Sequence, residues 1–189
     1  MSCLVLVIPE DPTYNGAILK PLATRMMEQC GKANAKVTVL TNPRARGYAH
    51  VKSLVPGIVD QYNHFDLLLF LVDADGCNRG DEFRELETGA ASSGVKLLCC
   101  AAVQEVEAWL LAGHVDRLGI PWKQVRADRD VKENLFSSFL RQYGDSRRPG
   151  GGRDLLMNET LANYEGLLSR CPELAELEVR IRQAIAGDR

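Results

Sequence analysis

The stretch Leu67-Leu68-Leu69-Phe70-Leu71-Val72-Asp73-Ala74-Asp75-Gly76 decides the fold. Its apolar part, Leu67 to Val72, has no polar face to turn towards water. A short run of this kind, ended by a turn signal, reads as a strand buried on both sides. Such strands belong to parallel sheets with helices on both faces. The chain leaves this strand through two carboxylates and then turns at Asp75-Gly76.

Upstream, Leu4 to Ile8 repeats the strand signal, and Lys36 to Leu40 gives another that stops at Thr41-Asn42-Pro43. Between them residues 16–30 carry Ile18, Leu19, Leu22, Met26 and Met27 on one helical stripe. Residues 51–62 predict a weaker helix, interrupted at Pro56-Gly57. Downstream, residues 80–92 predict a helix and Val95 to Cys100 a fourth strand. Strands alternating with helices imply an α/β fold with a mostly parallel four-stranded sheet and right-handed crossovers. The remainder predicts helices over Gln104 to Ala112, 130–143, 154–169 and 172–186, with a Gly- and Arg-rich linker from Gly144 to Arg153. Val106, Trp109 and Leu110 are expected to face inward. In the last helix Leu174, Leu177, Ile181 and Ile185 form one apolar face, suited to the chain's own core or to a partner. The expected organisation is an α/β core over 1–112 and a helical extension over 113–189, packed together as one unit.

At 189 residues and 46% hydrophobic the chain can build one sizeable core without a metal or disulfide staple. A formal net charge of -2 excludes a polybasic binder, so any polyanion site must be local. Of the six cysteines none forms a C-x-x-C pair, and together with His50, His64 and His114 they give no zinc-ligand spacing. They read as reduced thiols in apolar stretches, which fits a cytoplasmic protein. The longest apolar run, Leu97 to Val103, has seven residues, against the roughly 20 that a spanning helix needs.

The chemistry is expected where the carboxylates fall. Glu10 follows the first strand, and Asp73 and Asp75 follow the central one. In a parallel sheet both places lie at the carboxyl edge, where open α/β sheets build their sites. Carboxylates that converge repel one another unless a cation neutralises them or one takes a proton. Hard oxygen ligands suit Mg²⁺ or Mn²⁺. At a frayed strand end residues i and i+2 share a side, which would aim Asp73 and Asp75 at one ion. Glu105 and Glu107 follow the fourth strand; either could face the same crevice, and Glu105 also suits a helix N-terminus.

Glu10 at the end of the first strand, the Asp73-Ala74-Asp75 pair and the segment Glu107-Ala108-Trp109-Leu110-Leu111 together resemble the Toprim domain. More narrowly, they resemble small stand-alone Toprim-like proteins, which are similar to nucleases of the overcoming-lysogenization-defect type. The resemblance covers most of the chain and is firmest over residues 3–112. Many Toprim sequences place Gly next to the first Glu, where this chain has Asp11-Pro12-Thr13. It implies a Toprim-like, Rossmann-like sheet, with Glu10, Asp73, Asp75 and Glu107 as the catalytic set and Glu10, Asp73 and Asp75 as ligands of Mg²⁺ or Mn²⁺. The implied activity is metal-dependent hydrolysis of phosphodiesters in nucleic acid, DNA foremost, and phage defence is a role by analogy.

Basic residues would then hold the backbone. Arg44 and Arg46 follow the second strand, and Arg147, Arg148 and Arg153 lie in the linker. From Arg141 to Arg153 there are four Arg against one Asp. Two other functions stay open. Leu71 to Gly76 resembles the nucleophile motif of haloacid-dehalogenase-type phosphatases, in which the first Asp attacks phosphorus. The chain could also be a non-catalytic component of an assembly, a homodimer or a complex with an ATPase, whose phosphate loop it does not itself carry.

Overall fold

The computed structural model describes residues 3–186. Strands β1 (Leu4–Pro9), β2 (Lys36–Val39), β3 (Leu67–Asp73) and β4 (Leu97–Ala102) form one sheet in the order β2-β1-β3-β4. Every pairing is parallel, so the sheet is wholly rather than mostly parallel. β3 sits inside it as its apolar run requires, and Leu67 to Val72 are all fully buried.

The two-residue period of a strand divides these side chains between two cores. Val5, Val7, Leu67, Leu69, Leu71, Cys100 and Ala102 face α1 (Asn15–Gln29) and the C-terminal helices. Leu6, Ile8, Leu68, Phe70, Val72, Leu97 and Cys99 face α2 (Tyr48–Gln61) and α3 (Gly80–Ser92). Each such aliphatic or aromatic side chain removed from water contributes about 1.5–3 kcal/mol. Helix α2 runs through Pro56 and Gly57, where an interruption was expected. Its stripe of Val51, Val55, Ile58 and Val59 is buried on both sides of Pro56, and Pro56 itself is exposed. Water can therefore satisfy the carbonyl that the missing N–H leaves free.

The strand order creates a switch point. From β1 the chain crosses through α1 to β2 on one side, then returns past β1 to β3 on the other. Crossovers that diverge in this way leave a crevice between the carboxyl ends of the two central strands. β1 and β3 are in register from Val5↔Leu67 to Pro9↔Leu71, so Glu10 and Asp73 leave the sheet almost level.

The second half is helical, as expected, but more finely divided. It comprises α4 (Glu107–Leu111), a 3₁₀ turn (Val115–Arg117), α5 (Trp122–Ala127), a π-helical segment (Lys132–Phe136) running into α6 (Ser137–Tyr143), a 3₁₀ turn (Pro149–Gly152), α7 (Arg153–Leu161), α8 (Tyr164–Arg170) and α9 (Pro172–Ala186). The single helix expected over 154–169 breaks before Asn163, whose side chain accepts the N–H of Gly166 at 3.0 Å and caps α8. In the linker Gly150, Gly151 and Gly152 all have positive φ, a turn that only glycine forms without strain.

These helices share the core of the α1 face. Leu174, Leu177, Ile181 and Ile185 are buried there, so the apolar face of α9 packs on the chain's own sheet. Glu173, at the start of α9, takes the indole N–H of fully buried Trp109 at 2.9 Å and both Nη atoms of Arg126 at 2.5 and 2.9 Å. One carboxylate thereby ties α4, α5 and α9 together.

β4 lies at an edge of the sheet, and side chains close that edge. Glu87 of α3 accepts the Cys99 N–H at 2.7 Å, and Arg180 of α9 donates to the Cys99 carbonyl at 3.0 Å. The two also pair with each other at 2.5 Å. All six cysteines lie among the described residues, and none is in a disulfide. Burial pushes the Cys171 thiol up to about 12. Among the described residues no helix is long and apolar enough to cross a membrane.

Candidate functional site

Glu10 and Asp73 face each other across the β1–β3 seam. The Glu10 carboxylate accepts the backbone N–H of Asp73 at 2.9 Å. The Asp73 carboxylate in turn accepts the backbone N–H of Val106 at 2.7 Å, at the step from β4 into α4. That bond, with the Asp75 N–H donated to the Gln104 carbonyl at 3.1 Å, keeps residues 104–106 out of helix. α4 accordingly begins at Glu107 rather than at Gln104.

Glu107 is fully buried, and neither of its oxygens has a hydrogen-bond partner. A buried carboxylate in that state is costly unless a positive charge stands by. Lys132 Nζ is 3.6 Å from Glu107 Oε1. Burial pulls the Lys132 ammonium down, but attraction to Glu107, Glu105 and Asp73 outweighs it and raises its pKa.

Crowding of like charge is strongest at Asp73. Burial and the repulsion of Glu107, Glu10 and Asp75 push its carboxyl up to about 8, despite the opposing Val106 N–H. Glu10 is also raised, by burial first and by Asp75 among its neighbours. Asp75 stands differently from the expected strand-end geometry. β3 stops at Asp73, and Asp75 has φ 51°, the only non-glycine among the described residues with positive φ. Its side chain is 57% exposed and lies 3.7 Å from Arg79. A turn rather than the strand period sets its position.

Glu105 has a structural task. It accepts the Lys132 backbone N–H at 2.7 Å, at the head of the π-helical segment, and burial pushes it up to about 7. Trp109 is core, as expected.

The arginines separate into three groups. Arg44 and Arg46 are exposed and share with Glu10 and Asp11 a cleft of about 370 Å³. Arg147 and Arg148 are exposed in ion pairs with Asp145 and Asp154, at 2.9 and 2.6 Å. Arg153 leaves the linker for the interior and is only 8% exposed. Its guanidinium lies over the rings of Tyr14 and Phe136 and donates to the Gly150 carbonyl at 2.7 Å. Burial lowers its pKa, and the charge of Glu107 opposes that shift.

Two cations at the site, Lys132 and Arg79, lie outside the sequence reading. Arg79 stands four residues after Asp75, just before α3, so it was within reach of inspection. Nothing in the sequence around Lys132 marks it; folding alone brings it to Glu107.

No family model, curated protein or solved structure matches the chain.

The donor set still says what the crevice would take. Glu10 and Asp73 each have one oxygen committed to a backbone N–H. Neither oxygen of Glu107 has a hydrogen bond. Hard oxygens under mutual repulsion fit Mg²⁺ or Mn²⁺. Among the described residues no three His, Cys, Asp or Glu side chains stand as a ready cage for an ion. Glu10, Asp73 and Asp75 would have to rotate inward to share one.

Proposed function

We propose that this chain is a divalent-metal-dependent phosphodiester hydrolase acting on nucleic acid. The observation that carries the reading is the meeting of Glu10, Asp73 and buried Glu107, which lacks a hydrogen bond, beyond the carboxyl ends of neighbouring strands. Asp73 and Glu10 would hold Mg²⁺ or Mn²⁺, with Asp75 joining from its turn. The metal, when bound, supplies Lewis-acid polarisation of the phosphoryl oxygen and a more acidic water.

The chain's own groups do the rest. Burial raises the Glu10 pKa above the usual carboxylate value, which suits it to pass a proton at the crevice. Hydrolysis forms a bond from water oxygen to phosphorus and breaks the bond to the leaving oxygen, which needs a proton. Lys132, 3.6 Å from Glu107, sets a positive charge beside that buried carboxylate behind the site. Arg44 and Arg46, beside Glu10, place positive charge where a phosphate oxygen would lie.

The test is cleavage of labelled single-stranded and duplex DNA and RNA by purified protein with Mg²⁺, Mn²⁺ or chelator, beside Asp73→Asn and Glu10→Gln. Metal-dependent cutting that both substitutions reduce by at least a hundredfold supports the reading. Cutting equal in all three proteins, or none by the wild type on any substrate, would overturn it.

A further inference from the structure

A groove of about 800 Å³ opens beside the Asp75-Gly76 turn and runs along the β4 edge between α3 and α9. The geometry points to this groove as the seat of the phosphate next to the scissile one, held by Arg79 and Arg129. The inference rests on the hydrolase reading above and adds the subsite that would orient the strand.

Arg79 is held in place by an aromatic ring and two long ion pairs, with no hydrogen bond to its guanidinium among the described residues. Its guanidinium lies 3.5 Å from the centre of the Tyr48 ring, and Tyr48 is anchored by donating its hydroxyl to Glu82 at 2.9 Å. Arg79 Nε is buried and has no hydrogen-bond partner. Its nearest carboxylate oxygens, on Asp75 and Glu82, are at 3.7 and 4.0 Å, beyond hydrogen-bond reach. A planar arginine fixed over an aromatic ring, with donors to spare, is preorganised for a phosphate.

Arg129 lines the same groove beside Gly76. It is exposed, and no hydrogen bond or ion pair engages it among the described residues. A Cβ at Gly76 would lie 3.4 Å from Arg129 Nε and 3.5 Å from Gln104 Oε1, so glycine leaves the groove open beside these two side chains. The Gln104 amide is the second unsatisfied group lining the groove: its Oε1 is buried without a partner. Turned over, that amide offers its NH₂ to an anion. Arg180, also on the wall, is engaged by Glu87 and Cys99. The free donors therefore lie at the end nearest the acidic crevice. Charged donors of this kind meet the phosphate backbone, and the subsite takes the strand by its phosphates.

The experiment is anisotropy of labelled single strand and duplex against the whole chain in chelator, over a salt series, for wild type, Arg129→Gln, Arg79→Gln and Arg182→Gln. Arg182 pairs with Glu178 at 2.9 Å and does not line the groove. Expected is a loss of roughly tenfold at low salt for Arg129→Gln, and at least that for Arg79→Gln. The slope of log affinity against log salt should fall by about 0.7 for single strands in each. Arg182→Gln should bind as wild type. Arg129 is exposed, so its variant keeps the test valid if Arg79→Gln melts early. Unchanged affinity and slope in Arg129→Gln would overturn the subsite even if the wild type cuts, leaving the hydrolase reading intact. Equal affinity for a labelled mononucleotide and for the strands would overturn the backbone as ligand. Loss of binding in the variants, with no cutting by the wild type under Mg²⁺ or Mn²⁺, would keep the groove and remove the hydrolase reading.

Discussion

The carboxylate of Glu10 accepts the backbone N–H of Asp73 at 2.9 Å, across the seam where the sheet changes direction. This bond joins the ends of β1 and β3 and sets two acids side by side. It also leaves the Asp73 carboxyl to face Glu107 and Asp75, which help to push it up to about 8.

That shift fixes the sign of a pH dependence. Between an unfolded pKa near 3.8 and a folded value of about 8, the folded chain holds a proton on Asp73 that the unfolded chain has released. The stability due to this proton is complete below pH 4 and is lost as pH rises to and through 8. Asn at this position stays neutral in both states. The stability of Asp73→Asn relative to wild type should therefore improve steadily from pH 4 to pH 8.5 in urea unfolding. Parallel profiles for the two proteins would refute it.

Protons and a divalent ion compete for the same oxygens. Mg²⁺, Mn²⁺ or Ca²⁺ should raise the melting temperature, and by more at pH 8.5 than at pH 6. An ion at a hundredfold its dissociation constant stabilises by about 2.7 kcal/mol. Glu10→Gln and Asp73→Asn should each abolish most of the gain. Scanning calorimetry reads the effect, and an identical shift at both pH values would contradict it.

Glu107 and Lys132 should be energetically coupled. Removing either leaves a buried or half-buried charge with less compensation. Glu107→Met and Lys132→Met should each destabilise, and the double variant should lose less than the sum. A coupling of about 1–3 kcal/mol is expected from a double-mutant cycle in urea. Additive losses would show that the ammonium does not offset the carboxylate.

Glu173→Ala should loosen the C-terminal helices from the core. It strands the Trp109 indole N–H and the Arg126 guanidinium together. The cost should be about 1.5–3 kcal/mol, the range for hydrogen bonds to charged groups. Tryptophan fluorescence during unfolding should report it, since Trp109 is fully buried. A midpoint equal to wild type would count against the tie.

The sheet was readable because burial on both faces writes itself as an unbroken apolar run, and Leu67 to Val72 is one. Helix α3 spans Gly80–Ser92 as its sequence predicts, while α2 was underestimated because Pro56 weighs heavily in isolation. The apolar residues on either side of it have a core to fill, and that outweighs one lost hydrogen bond. Glu10 and Asp73 were legible because a strand end in a parallel sheet has a known edge. The strand order that makes them neighbours was not, since nothing local encodes it. Lys132 and Arg129 were out of reach for the same reason. Arg153 shows the opposite case: a glycine-flanked arginine suggests a solvated loop, and three left-handed glycines instead carry it inward to Tyr14.

The bridge from Glu87 to Arg180 bears on how the molecule behaves in a crowd. An unguarded edge strand is a template on which a second chain can add its own strand. Here the N–H and C=O of Cys99, halfway along β4, are already occupied by two opposite charges locked to each other. A neighbour would have to dislodge both before pairing there. The salt bridge thus acts as a terminus for the sheet on the β4 side, and it disfavours strand addition at that edge at high concentration.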